Sequence, residues 1–302
     1  MRGHSRTFGT LCILGSALCY GSMGIFARVA YGAGVDVPTL LLLRFSLAAV
    51  LLWGLMLAGR FPLPRGRGLA LLVAMGAIGG GQAFCYFTAL AHLSAGLAAL
   101  LLYTYPALVA LLAWLGFAQP LGRRQVAALA MALAGTGCIL GWAGDGDALG
   151  IGFGLLAALV YAVYILAGSR LPAEVSPVAA TTVITSASAL VFLGLVAVKG
   201  FHPPVDGTGV GAVLGIAGVC TVFAMVCFFA GLERVGPVRA SVLSTVEPLC
   251  ALLLGAAVLG ERVTGARVLG GALVAGAVVL VARDNAGAQA GPGRRSAGGD
   301  NR

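Results

Sequence analysis

Residues 241–262 read "SVLSTVEPLCALLLGAAVLGER". Most of this stretch is the vocabulary of an apolar helix, yet Glu247 stands inside it and Pro248 follows at once. A carboxylate among apolar helical residues is costly. A proline there removes a backbone hydrogen bond and crowds the preceding turn. The surrounding run, 237–258, has the length a bilayer requires: about 20 mostly apolar residues cross a core of about 30 Å. Working outward, nine further runs of this kind appear, at 8–30, 38–58, 69–91, 94–115, 125–142, 149–168, 176–198, 208–231 and 264–282. The gaps between them carry the helix breakers, as in "RFPLPRGRG", "AQPLGRR", "AGDGDA", "GSRLPAEVS" and "KGFHPPVDG".

Composition agrees. The 302 residues are 60% hydrophobic and 10% charged, whereas soluble domains carry about 25% charged residues. The chain is therefore read as an all-α integral membrane protein with ten transmembrane helices. Its net charge of +9 comes almost entirely from arginines scattered through the gaps. That is a topology signal and not a nucleic-acid-binding stripe, so no nucleic acid is expected. With the N-terminus inside, fourteen basic residues fall in cytoplasmic segments and four (Arg28, Lys199, Arg262, Arg267) outside. Arg44 is left over within a run. The positive-inside rule then places both termini of this multi-pass chain in the cytoplasm. The first run is too long for a cleavable signal peptide and lacks a small-residue cleavage site. The seven cysteines all lie in apolar runs without a C-x-x-C pair. They read as small buried hydrophobes, and neither a metal nor a cofactor is expected. The segment 284–302 is Gly-, Arg- and polar-rich, which predicts a disordered cytoplasmic tail.

The chain also repeats. "LLLYTYPALVALL" (100–112) and "VLSTVEPLCALLL" (242–254) superpose on their prolines with a shift of 142 residues. The same shift lays Cys85 on Cys227, Phe87 on Phe229 and Gly76 on Gly218. Two similar units follow, 8–142 and 149–283. Each holds five helices, an odd number, so the second unit enters the membrane from the opposite side. Inverted repeats of this kind build secondary transporters with a substrate site near the midplane between the halves.

Pro106 and Pro248 each lie eleven or twelve residues into their run, roughly 16–18 Å deep at about 1.5 Å per residue. They are expected to break their helices and to free the carbonyls of Leu102 and Ser244. A carbonyl freed at that depth needs a hydroxyl, water or ligand as partner. Tyr103, Tyr105 and Ser244 stand beside them, with Thr104 and Thr245. Glu247 is the candidate for binding a proton or a substrate cation. The alternative is a neutral acid hydrogen-bonded to a neighbouring helix. Arg44, in "LLLRFSL", is the second candidate binding residue, and snorkelling to the outer interface is its alternative. If the second and ninth runs face one cavity, Arg44 and Glu247 meet there, and a zwitterionic substrate could replace their pairing. Glycines spaced four apart, such as Gly76/Gly80 and Gly150/Gly154, speak for close helix packing.

Enzyme signatures are weak. "GDGD" (144–147) falls in a gap without a Tyr-Asp partner, no Ser-Gly dipeptide exists, and the single lysine, Lys199, lacks a Gly-rich approach. An "LRF" in the second run, a "YP" in the fourth, an "EP" in the ninth and a "GER" turn before a glycine-rich last run together resemble the EamA-type drug/metabolite transporter superfamily. The resemblance covers about residues 8–283. It implies a ten-helix inner-membrane carrier that exports small metabolites, amino acids or drugs, and it points to Arg44, Glu247, Pro248 and the turn residue Glu261. At Gln119 the first repeat departs from the acid usual in that pattern. A carrier of small molecules by alternating access, with proton coupling open and as monomer or homodimer, is the expectation. A channel-type pore and a membrane-embedded enzyme are the alternatives.

Overall fold

The structure, a computed structural model, describes residues 2–93, 95–117, 122–140, 147–172, 174–259 and 264–287. Among these no strand occurs. The helices are α1 (Arg2–Gly32), α2 (Val37–Ala58), α3 (Gly66–His92), α4 (Ala95–Leu102), α5 (Tyr105–Phe117), α6 (Arg123–Leu140), α7 (Ala148–Gly168), α8 (Pro177–Lys199) and α9 (Gly207–Ala217). A π-helical stretch, Gly218–Phe223, joins α9 to α10 (Ala224–Val235). Then come α11 (Pro237–Ser244), α12 (Val246–Leu259) and α13 (Gly265–Gly287).

Local chemistry sets these boundaries. Asp36 starts α2 by accepting the Thr39 N–H at 3.2 Å, with Pro38 in the first turn. Ser176 does the same for α8 through the Ala179 N–H at 3.2 Å, with Pro177 opening that helix. Asp147 and Asp206 start α7 and α9. A short oxygen side chain at the helix start satisfies an orphan N–H, and proline tolerates the first turn because its missing N–H would be unpaired anyway. The Gly209 N–H, and after it the Thr208 hydroxyl, hold the Asp206 carboxyl below the usual carboxylate range. A depressed folded value means that this cap stabilises fully above the unfolded value of about 3.9 and is lost as pH falls through the folded one. Thermal unfolding of Asp206→Asn, followed against pH, should therefore show a weaker acid-side loss below about pH 4 than the parent protein.

Among the described residues seven spans are long and apolar enough to cross a membrane: Arg6–Gly32, Val37–Ala58, Gly66–Tyr86, Ala98–Gly116, Ala148–Gly168, Pro177–Lys199 and Gly207–Val235. The remaining three of the ten runs are helical as well but are not among these seven. One is α6. Another is split into α11 and α12, and the third keeps its apolar part at Gly265–Leu280. Helix α13 continues through Gly287, and the rest of the expected tail lies outside the described residues, as do Gln119, Glu261 and residues 144–146 of the "GDGD" segment.

Helix packing has a simple rule. α6 lies on α13, α2 on α8, α3 on α7, and α1 on α9 and α10. In addition α4 and α5 lie on α7, while α11 and α12 lie on α1. Exchanging the two halves of the chain turns each of these pairings into itself, as for α6–α13 and α2–α8, or into another of the same set. The main core gathers Leu72, Met75, Tyr105, Val109, Ile165, Ile184, Phe228 and Leu243. The outside of the bundle is apolar too, with Leu57, Leu115, Leu190 and Val198 all exposed. Apolar residues on both the buried and the exposed side are what a lipid-facing bundle needs.

One end of the bundle is clasped by two histidine–aspartate pairs. His92 Nδ1, at the end of α3, meets Asp147 Oδ2 at 2.9 Å, and His202 Nδ1, after α8, meets Asp36 Oδ2 at 3.6 Å. Each aspartate is a helix cap and is thus already oriented. Each pair joins one half of the chain to the other. At the opposite end, the α7–α8 connection and α10 enclose a cavity of about 230 Å³ whose lining includes Gly168, Pro172, Val175, Phe229 and Glu233.

Candidate functional site

The two prolines do more than kink their helices. Helix α4 stops at Leu102, Tyr103 and Thr104 form a turn, and α5 restarts at Tyr105 with Pro106 in its second position. Helix α11 stops at Ser244, Thr245 turns, and α12 restarts at Val246 with Pro248 in its third position. Proline is accommodated in a first turn, so each helix breaks just ahead of it. Threonine hydroxyls then serve the frayed carbonyls. Thr104 Oγ1 donates to the Leu101 carbonyl and Thr245 Oγ1 to the Val242 carbonyl, both at 2.6 Å. These acceptors precede the expected Leu102 and Ser244 by one and two residues. The difference arises because a threonine hydroxyl reaches back three residues along its own chain.

The two breaks face each other across the halves. The Tyr103 hydroxyl comes within reach of the Glu247 carboxylate. The Tyr105 hydroxyl donates to the Ser241 carbonyl at 3.4 Å and also meets the Ser244 hydroxyl. Tyr105 and Glu247 are equivalent under the 142-residue shift. The first half therefore supplies a phenol where the second supplies a carboxylate. All four of Tyr103, Tyr105, Ser244 and Glu247, read from the sequence as candidates, come together here. Tyr105, Pro106, Ser244 and Pro248 are buried, and Glu247 is half-buried.

Arg44 lies on α2, half-buried. Its charge reaches Glu247, Tyr20 and Tyr164. The two residues do not form a direct ion pair. Instead the Arg44 Nε–H donates to Thr221 Oγ1 at 2.8 Å, and the guanidinium lies over the Phe45 ring, 5.0 Å from its centroid. Thr221 belongs to the π-helical stretch and is fully buried.

A tyrosine cluster surrounds the carboxylate. Glu247 is within electrostatic reach of Tyr20, Tyr86, Tyr103, Tyr105 and Tyr161. Together with Tyr164 these are six of the seven tyrosines in the chain. Four of these rings form a row that ends on Phe229. Tyr103 to Tyr105 is 6.3 Å between centroids, Tyr105 to Tyr161 is 4.7 Å, Tyr161 to Tyr164 is 6.1 Å, and Tyr164 to Phe229 is 6.1 Å. Phe229 also lines the cavity at the bundle's end. The row thus connects that cavity with Glu247. Tyr20, Tyr86, Tyr161, Tyr164 and Thr221 were not singled out from sequence. The available signal was depth: tyrosines usually sit at membrane interfaces, and Tyr20 and Tyr161 lie well inside their apolar runs, where a phenol needs a partner.

Chemically, the arrangement offers a carboxylate that can take a proton or a cation, phenols that both donate and accept, and a guanidinium fork. No group of three or more His, Cys, Asp or Glu suited to a metal ion occurs among the described residues.

The sequence profile of the EamA-like transporter family matches twice, over residues 7–141 and 148–283. A Bacillus subtilis (strain 168) protein named "Uncharacterized transporter YcbK" is 28% identical over 271 residues, covering 82% of this chain and 84% of that protein. A solved structure described only as "Crystal structure of protein" has the same fold, with a TM-score of 0.74 and 24% identity over 94% of this chain and 100% of the other. A doubled family match over most of the chain, on a bundle of apolar membrane-length helices, establishes that this multi-pass membrane protein belongs to the EamA-like transporter family.

Proposed function

We propose that the protein is a secondary transporter that exports small molecules from a bacterial cell by alternating access, through a site between two inverted five-helix repeats. The single observation carrying this reading is the meeting of the two helix breaks across the halves, where Tyr105 bonds the Ser241 carbonyl and Tyr103 faces Glu247. Broken helices near mid-depth, facing one another across repeats, are the usual site architecture of such carriers. Pairings that exchange with one another when the halves are exchanged support the repeat symmetry. Ten spans follow from the ten apolar runs, and with them the charge count puts both termini in the cytoplasm. On that topology the two histidine–aspartate clasps close the outer end, and the 230 Å³ cavity opens toward the cytoplasm.

Metabolites, amino acids or drugs of this size are the substrate class. A zwitterion suits the site best, with its ammonium at Glu247 and its carboxylate at Arg44, and protons competing for Glu247 give a route to coupling. A channel-type pore would use similar residues, but it would conduct without a conformational cycle. The test is counterflow. Metabolite profiling of cells lacking and overproducing the protein supplies the compound that falls inside cells as the protein rises. Vesicles preloaded with that compound should then take up labelled compound faster than empty ones. Equal uptake by loaded and empty vesicles would make the protein a pore.

A further inference from the structure

The π-helical stretch Gly218–Phe223 interrupts α9–α10. Its counterpart in the first half, at residues 76–81, is part of an unbroken α3. The 142-residue shift places Thr221 on Gly79 and Arg44 on Ser186. Neither partner of the Arg44–Thr221 bond therefore has an equivalent in the other half. There the comparable link between helices is a Ser188 hydroxyl donating to the Gly76 carbonyl at 3.0 Å. Packing alone would be served by that simpler link in both halves. Isolated π-helical turns inside α-helices are frequent at functional sites.

The hydrogen bonds at Thr221 have a fixed direction. Its one hydroxyl proton goes to the Ile216 carbonyl at 2.9 Å, five residues back along the widened helix. The oxygen can therefore only accept, and it accepts the Arg44 Nε–H. Phe45 lies under the guanidinium and is itself stacked on Phe192 at 5.8 Å. The ring and the hydroxyl together fix the guanidinium plane and leave its two terminal nitrogens as a fork. Among the described residues no carboxylate lies within ion-pair distance of that fork. A guanidinium held inside a membrane bundle without a carboxylate partner is costly unless it serves an anion.

We propose that Thr221 is a positioning residue: through the π-helical stretch it aims the Arg44 fork at the Glu247 site, where the fork binds the anionic group of the carried molecule. This deepens the carrier reading and rests on it. Thr221→Val keeps shape but loses the acceptor, whereas Thr221→Ser keeps both hydroxyl bonds.

The experiment uses full-length protein in lipid nanodiscs with 15N-labelled arginine. The Arg44 Nε–H signal is assigned by its loss in Arg44→Lys. Its hydrogen exchange should be slow in the parent protein and in Thr221→Ser. In Thr221→Val it should be at least about tenfold faster, as expected for a lost hydrogen bond to a charged group. Equal exchange in all three overturns the positioning role. A second measurement follows modification of Arg44 by phenylglyoxal, mapped by mass spectrometry, in acetate or in chloride at equal ionic strength. Acetate should slow the reaction in the parent protein and in Thr221→Ser, and the difference should vanish in Thr221→Val. If exchange responds as expected but acetate never protects Arg44, the anion-binding part is overturned while the positioning stands. If acetate protects all variants equally, Thr221 does not aim the fork. Neither readout depends on flux, so failure of the carrier reading would appear separately, in counterflow.

Discussion

Glu247→Gln will reduce coupled flux by about 10- to 150-fold per unit of protein, because a hydrogen bond to a charged group contributes about 1.5–3 kcal/mol. Glutamine has nearly the same shape and can still accept from Tyr103, so the helix break and the contact between halves survive. What disappears is the only negative charge that the described residues place beside the six-tyrosine cluster. A substrate cation, or the proton that competes with it, then has no partner at the depth where both broken helices restart. Glu247→Asp keeps the charge but withdraws it by about one methylene, so partial activity is expected. Arg44→Lys should be worse than its preserved charge suggests. Lysine cannot donate from Nε to Thr221 and present a planar fork at once. Flux in vesicles, normalised to inserted protein, is the measurement. Should Glu247→Gln transport at the parent rate with an unchanged pH dependence, the carboxylate is only a structural acceptor for Tyr103. The substrate would then have to be held by Tyr105, Tyr161 and their neighbours.

How far the sequence foretold this site depends on which kind of signal each residue left. Helix existence was legible because about 20 apolar residues in a row have few other uses. Helix starts at Asp36, Ser176 and Asp206 were marked by gap residues whose chemistry is local. The breaks at Pro106 and Pro248 were legible because proline acts on its own turn. Glu247 stood out for its cost. Faces were not legible. In a soluble helix the polar side reveals the buried one, but here both sides are apolar, so periodicity is silent about which tyrosines point inward. The π-helical stretch left no trace either, since "GVCTVF" has nothing to distinguish it from ordinary helix. The close pairing of Arg44 with Thr221 and not with Glu247 is a tertiary fact of the same kind. Glycine spacing was partly informative. Gly76, Gly150 and Gly154 do touch neighbouring helices closely.

The glycine that matters most for the site lay outside those spaced pairs. Gly21, on α1, faces the restart of α12. A Cβ there would stand 2.7 Å from the Cys250 Cβ, 3.0 Å from the Glu247 carbonyl oxygen and 3.2 Å from the Ala251 nitrogen. Two of the three obstacles are backbone atoms, which no change of rotamer can move. Helix α1 reaches α12 only because position 21 has no side chain, and that contact fixes the depth and tilt of the turn carrying Glu247. Gly21→Ala should cost about 1–3 kcal/mol through overpacking, and Gly21→Val more, with α1 pushed away from α12. Gly24→Ala is the matched control. It lies three residues along the same helix, has nothing within 4 Å of its would-be Cβ, and gains helix propensity. Thermal unfolding in one detergent should show Gly21→Ala well below the parent protein and Gly24→Ala at or above it. Flux should fall further for Gly21→Ala than its remaining folded fraction explains, because the displaced turn also carries Glu247 up to Tyr103. A Gly21→Ala protein as stable and as active as Gly24→Ala would mean that α1 does not pack on the Glu247 turn. The site would then owe its geometry to the two prolines alone.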